Sequence, residues 1–120
     1  MGPVRRTVLI VDDHRDFRTA ARELLEAEGF EVVGEAADGD AAVREAARLR
    51  PSIVLLDIQL PDTDGFAVAE RLAASASPPM VVLISSRDAR SYGDRVALAA
   101  ARGFIPKVGL SGASIAKLVG

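Results

Sequence analysis

Several residues able to do chemistry stand directly after apolar runs. Asp12 and Asp13 follow Val8 to Val11, and Asp57 follows Ile53 to Leu56. Ser85, with Ser86 beside it, follows Met80 to Ile84, and Lys107 follows Phe104, Ile105 and Pro106. A cluster of carboxylates with open coordination positions suits a hard cation such as Mg²⁺, which takes one or two protein carboxylates and leaves the rest to water or phosphate oxygens. A carboxylate beside such a cation can attack phosphorus and form an acyl phosphate, provided the incoming charge is neutralised. Asp57 is the natural nucleophile, and the adjacent pair Asp12 and Asp13 suits the metal. Lys107 would give a point charge to one phosphate oxygen, and the Ser85 hydroxyl a hydrogen bond to another. Taken singly, each has an ordinary reading: a helix cap for Asp12 and Asp13, a loop acid for Asp57, a solvated surface lysine for Lys107. The chemistry requires that folding bring them together.

The apolar runs have strand length, and the stretches between them have helical spacing. Phe17, Ala20, Ala21, Leu24 and Leu25 predict a first helix; Val43, Ala46 and Ala47 a second; Val68, Leu72 and Ala73 a third; Tyr92, Val96, Ala99 and Ala100 a fourth; Ile115, Leu118 and Val119 a short fifth. Ser111 is placed to cap the fifth, Asp64 and Asp88 the third and fourth, while Gly29 and Pro51 mark the ends of the first and second. Alternating strands and helices of this length imply right-handed crossovers and a parallel sheet covered on both faces. The first, third and fourth runs are continuously apolar and belong in the middle. Glu31, Gly34 and Glu35 interrupt the second run and Pro106 sits in the fifth, so these two go to the edges. The expected fold is a flavodoxin-like doubly wound (βα)5 with a five-stranded parallel sheet in order 2-1-3-4-5. Ligands of such sheets bind beyond the C-terminal strand ends, at the switch point between the first and third strands. All the candidate residues follow strand ends on that one edge.

Composition narrows the classes. The chain has 120 residues and is read as a single domain, 1–120. Scarce aromatics and abundant alanine suit an aliphatic core with helices lying close to a sheet. A net charge of -2 gives no basic stripe for nucleic acid, so no direct contact with DNA is expected from this segment. The chain has no cysteine, which removes disulfides and thiolate chemistry and fits a cytoplasmic setting. The start, Met1 to Arg6, reads as a frayed lead-in, not a secretory or membrane-spanning segment.

In order and spacing, Val-Leu-Ile-Val-Asp12-Asp13, Leu-Leu-Asp57-Ile-Gln-Leu-Pro61-Asp-Thr-Asp-Gly65, Leu-Ile-Ser85-Ser and Gly103-Phe104-Ile-Pro-Lys107 resemble the receiver domain of bacterial two-component response regulators. The resemblance covers essentially the whole chain. It implies that Asp57 accepts phosphoryl from a sensor histidine kinase. It also implies that Asp13 and Asp57 bind Mg²⁺ directly, that the Gln59 backbone carbonyl completes the site, and that Asp12 acts through water. By family spacing from Asp57, Ser85 is selected over Ser86 to turn toward the phosphate. Phe104 would move inward and reshape the face made by the fourth helix, fifth strand and fifth helix. Gln59 and Arg87 would flank the phosphate. The Gly-Phe-Ile-Pro-Lys ending is similar to regulators with a C-terminal helix-turn-helix (LuxR-type) output domain. That implies transcription control, an output domain beyond Gly120 and a homodimer formed on phosphorylation.

The chain departs from the family pattern where Val108 follows Lys107 in place of proline, and where Phe104 leaves no tyrosine hydroxyl on the fifth strand. Those departures motivate an alternative: a receiver-like interaction module that works without phosphorylation. An aspartyl phosphatase would need a second acid two residues after Asp57, where Gln59 stands, so the chain is read as a switch and not an enzyme. A flavodoxin-like electron carrier would place its flavin phosphate where Asp12 and Asp13 repel it. His14 is read as a solvated residue opening the first helix, and Asp62 as a turn former.

Overall fold

The structure, a computed structural model, describes residues 6–120, and the lead-in Met1 to Arg5 lies outside the described residues. The elements run β1 (Thr7–Val11), α1 (Arg15–Ala27), β2 (Glu31–Ala36), α2 (Gly39–Leu49), β3 (Ile53–Asp57), α3 (Gly65–Ala73), β4 (Met80–Ser85), α4 (Arg95–Leu98), β5 (Gly103–Pro106) and α5 (Gly112–Val119). The strands form a parallel sheet in the order β2-β1-β3-β4-β5. The expected order therefore holds, for the expected reason: β1, β3 and β4 are buried almost throughout, whereas β2 and β5 carry exposed residues.

Strand alternation divides the core. Val8, Ile10, Ile53, Leu55, Val82 and Ile84 face α1 and α5, where they meet Leu25 and Ile115. Leu9, Val11, Val54, Leu56 and Leu83 face α2 and α3, where they meet Ala42, Val68 and Leu72. Small residues on α2 bring that helix close to the sheet. No helix among the described residues is long and apolar enough to cross a membrane.

The caps follow local chemistry. Asp38 accepts from the Ala41 amide and Asp64 from the Ala67 amide, while Ser111 and Ser114 form a reciprocal capping box. Gly29, with φ 95°, turns the chain after α1, and Arg50, with φ 47°, ends α2 before Pro51.

The fourth helix differs from expectation. A 3-10 turn spans Ala89–Tyr92, Gly93 follows with φ 58°, α4 has only four residues, and Ala99 is already extended. Asp88 makes no side-chain capping bond. Tyr92, Val96, Ala99 and Ala100 do pack against the core, so the apolar positions were legible although the continuous helix is absent. Gly93 interrupts the backbone, and no residue of α4 is buried, so little apolar burial opposes the break.

Candidate functional site

Strand register decides which residues meet. Val11 pairs with Leu56, so Asp12 and Asp57 leave adjacent strands at the same level. Asp57 pairs with Ile84, and Ser85 with Pro106, which puts Ser85 and Lys107 on the same edge. Asp12 is fully buried and Asp57 is 3% exposed, while the Asp13 side chain reaches solvent.

Lys107 joins the acids. Its ammonium lies 2.6 Å from Asp12 Oδ2 and 3.4 Å from Asp57 Oδ2, over the Phe17 ring at 4.4 Å. The shorter contact pairs the ammonium with Asp12 Oδ2, which is buried and has no further partner. Asp12 Oδ1 accepts the His14 amide at 2.8 Å, and Asp57 Oδ1 accepts the Gln59 amide at 3.1 Å. Arg18 donates to the Asp12 carbonyl at 2.6 Å and to Glu35 at 2.9 Å, tying the acidic turn to β2. Burial raises the Glu35 carboxyl pKa, but Arg22 and Arg18 outweigh it and hold the group below its ordinary value.

The cluster is short of positive charge. Burial, reinforced by the neighbouring Asp12 charge, pushes the Asp57 carboxyl up to about 6, against the opposing pull of the Gln59 amide and Lys107. Burial alone would lower Lys107, but Asp12 and Asp57 override it and lift the ammonium above its ordinary value. Ligand atoms of Asp12, Asp13, His14 and Asp57 all lie within 4.8 Å of one another. An octahedral Mg²⁺ with oxygens at about 2.1 Å spans a little over 4 Å between opposite ligands, so small side-chain adjustments bring the acids onto a single divalent ion. A divalent cation would supply positive charge to the buried Asp12 Oδ2 and to the Asp57 carboxyl, whose ionised form burial disfavours.

The loop after Asp57 is held tightly. The Gly65 amide donates to the Ile58 carbonyl at 2.7 Å, and Gln59 pairs with Asp64. A Cβ on Gly65 would stand 2.5 Å from the Asp57 carbonyl oxygen, so glycine is required by close approach. Asp62 does more than form a turn: it accepts from the Gly39 amide at 2.8 Å and the Asp40 amide at 3.1 Å, at the start of α2. The Gly39 amide, helped by that of Asp40, holds the Asp62 carboxyl below its ordinary value.

Ser85 stands at the same edge but bonds elsewhere. It is fully buried, and its hydroxyl lies 2.6 Å from the Tyr92 hydroxyl and accepts the Arg87 amide at 3.1 Å. Phe104 is half-buried, with its ring 6.3 Å from that of Tyr92, which meets Phe66 edge-on at 5.8 Å. Sequence reasoning missed the Tyr92 hydroxyl, because nothing in a seven-residue separation announces it. It also missed His14 as a neighbour of the acids: the side chain is largely exposed, yet Nδ1 lies 3.1 Å from both Asp12 Oδ1 and Asp13 Oδ1. Its place immediately after the acidic pair was the available signal.

Comparison with known proteins matches residues 8–116 to the response regulator receiver domain family. The transcriptional regulatory protein PdtaR of Mycobacterium tuberculosis is 41% identical over 87 residues, covering 71% of this chain and 42% of that protein. Among solved structures, the signal receiver domain of Mycobacterium tuberculosis NarL is 32% identical with a TM-score of 0.85, covering 98% of this chain and 99% of that one. A chain of the CheX-CheY-BeF3-Mg²⁺ complex from Borrelia burgdorferi is 28% identical with a TM-score of 0.81, covering 95% of this chain and 86% of that one. This chain spans less than half the length of the curated relatives it matches.

Proposed function

The chain belongs to the response regulator receiver domain family, and on that premise we propose that it is a phosphoaccepting switch with Asp57 as the acceptor. The carrying observation is the convergence of buried Asp12 and Asp57 on Lys107, with more negative charge than one ammonium balances. An Asp57 carboxylate oxygen forms a bond to the phosphorus of a phosphohistidine on a sensor kinase. The phosphorus–nitrogen bond breaks, and the leaving imidazole keeps its electron pair and takes a proton.

Asp13 and Asp57, with the Gln59 backbone carbonyl, would hold Mg²⁺ directly, and Asp12 would reach it through water. Bound there, Mg²⁺ supplies charge neutralisation for the incoming phosphoryl oxygens. Lys107, already shared between Asp12 and Asp57, is within reach of a group carried on Asp57 and would compensate one phosphoryl oxygen. Ser85 would donate a hydrogen bond to another. A cation also answers the raised Asp57 carboxyl, because positive charge favours the ionised form that acts as nucleophile.

The modified site would act on the face made by α4, β5 and α5, with Phe104 part of the response. The resulting switch would control a transcriptional output domain beyond Gly120 in a cytoplasmic regulator, through a homodimer formed on phosphorylation. Relatives described as transcriptional regulators support that reading. Incubation with acetyl phosphate and Mg²⁺ should add one phosphoryl group by mass spectrometry, and Asp57→Asn should abolish it. An unmodified native chain under those conditions would refute the proposal.

A further inference from the structure

Resting on the phosphoacceptor reading, we infer that Tyr92 is a positioning residue that accepts the Ser85 hydrogen bond while Asp57 is unmodified and loses it to the phosphoryl group. The Ser85 hydroxyl has one proton. It is fully buried, and its hydrogen bonds go to the Arg87 amide, which donates to it at 3.1 Å, and to the Tyr92 hydroxyl at 2.6 Å. If Tyr92 donated to Ser85, the Ser85 proton would be left buried without an acceptor, a costly arrangement. Tyr92 is only half-buried and can direct its own proton to solvent. The arrangement that places both protons has Ser85 donating to Tyr92.

Donation by Ser85 to a phosphoryl oxygen and donation to Tyr92 are therefore mutually exclusive. The acyl phosphate takes over the hydrogen bond that Ser85 donates, and Tyr92 loses its link to β4. The consequence is local to a weakly held segment. Tyr92 ends a 3-10 turn, Gly93 follows at φ 58°, and the four-residue α4 has no fully buried residue. The Tyr92 ring touches Phe66 on α3 and Phe104 on β5, and Arg95 of α4 lies over Phe66 at 4.3 Å. Release of one hydroxyl thus reaches β5 and α4 of the output face, and α3 beside it. Phe104 has no hydroxyl with which to sense Ser85, so Tyr92, outside β5, makes the connection.

Tyr92 is the only tyrosine and the chain has no tryptophan, so intrinsic tyrosine emission reports this residue alone. The full chain is titrated with fluoroberyllate and Mg²⁺, with adduct formation followed separately by ¹⁹F NMR. Tyrosine emission should change in step with the adduct, and Tyr92→Phe should bind fluoroberyllate about fivefold more tightly, the equivalent of one typical hydrogen bond. Without any ligand, Ser85→Ala should shift tyrosine emission toward the value of the saturated native chain. An adduct that forms with unchanged emission, or with equal affinity in Tyr92→Phe, overturns the inference and leaves the phosphoacceptor reading intact. Failure of the native chain to form any adduct overturns both. If Tyr92→Phe does not fold, an unchanged emission in folded Ser85→Ala is sufficient to overturn the inference.

Discussion

Asp57 carries opposed demands: a nucleophile must be ionised, and a buried carboxylate resists ionisation. Burial and the Asp12 charge raise its carboxyl from 3.8 to about 6. Between those two values the folded state binds more protons than the unfolded state, so this group's contribution to stability falls as pH rises through about 6. The excess stability of Asp57→Asn over the native chain, measured by urea unfolding without metal, should therefore grow by about 2 kcal/mol between pH 4 and pH 7.5. A gap independent of pH would contradict the assignment. The acid was legible in the sequence as a residue ending a central strand. Its perturbation was not, because it depends on how completely β1 and the loop to Gly65 bury it.

At the scale of elements, the turn from β3 into α3 does the positioning. Gly65 approaches the Asp57 carbonyl so closely that a Cβ would meet backbone on both Asp57 and Ile58, at 2.5 and 2.8 Å. Gly65→Ala should cost about 1–3 kcal/mol in urea unfolding, as overpacking against backbone does. It should also slow acetyl phosphate labelling of Asp57 at pH values where the protein remains folded. Native stability and native labelling in that variant would show that the loop tolerates displacement. The capping residues Asp64 and Ser111 could be read from local chemistry because a cap is satisfied within its own turn. The fourth helix could not, since its apolar spacing records contact with the core and not the backbone that delivers it. Asp62 was missed for a related reason: the amides it accepts from lie on α2, more than twenty residues away.

For the whole molecule, cation binding and folding are linked through the edge where β1, β3 and β5 end. At pH 8, Mg²⁺ at ten times its dissociation constant should raise unfolding free energy by about 1.4 kcal/mol. Below pH 6 the gain should shrink, because protons compete for Asp57. Thermal unfolding with and without chelator at the two pH values measures both, and a pH-independent gain would contradict a site that includes Asp57. By itself the sequence determined the βα alternation, the central and edge strands, and which acids, lysine and serine follow strand ends. Those features depend on whether each position is buried, which apolar periodicity records residue by residue. Only the tertiary structure decided that Lys107 rests closer to Asp12 than to Asp57, that His14 borders the acids, and that Ser85 is bonded to Tyr92. Those are pairwise facts, set by strand register and side-chain direction between segments that local patterning treats as independent.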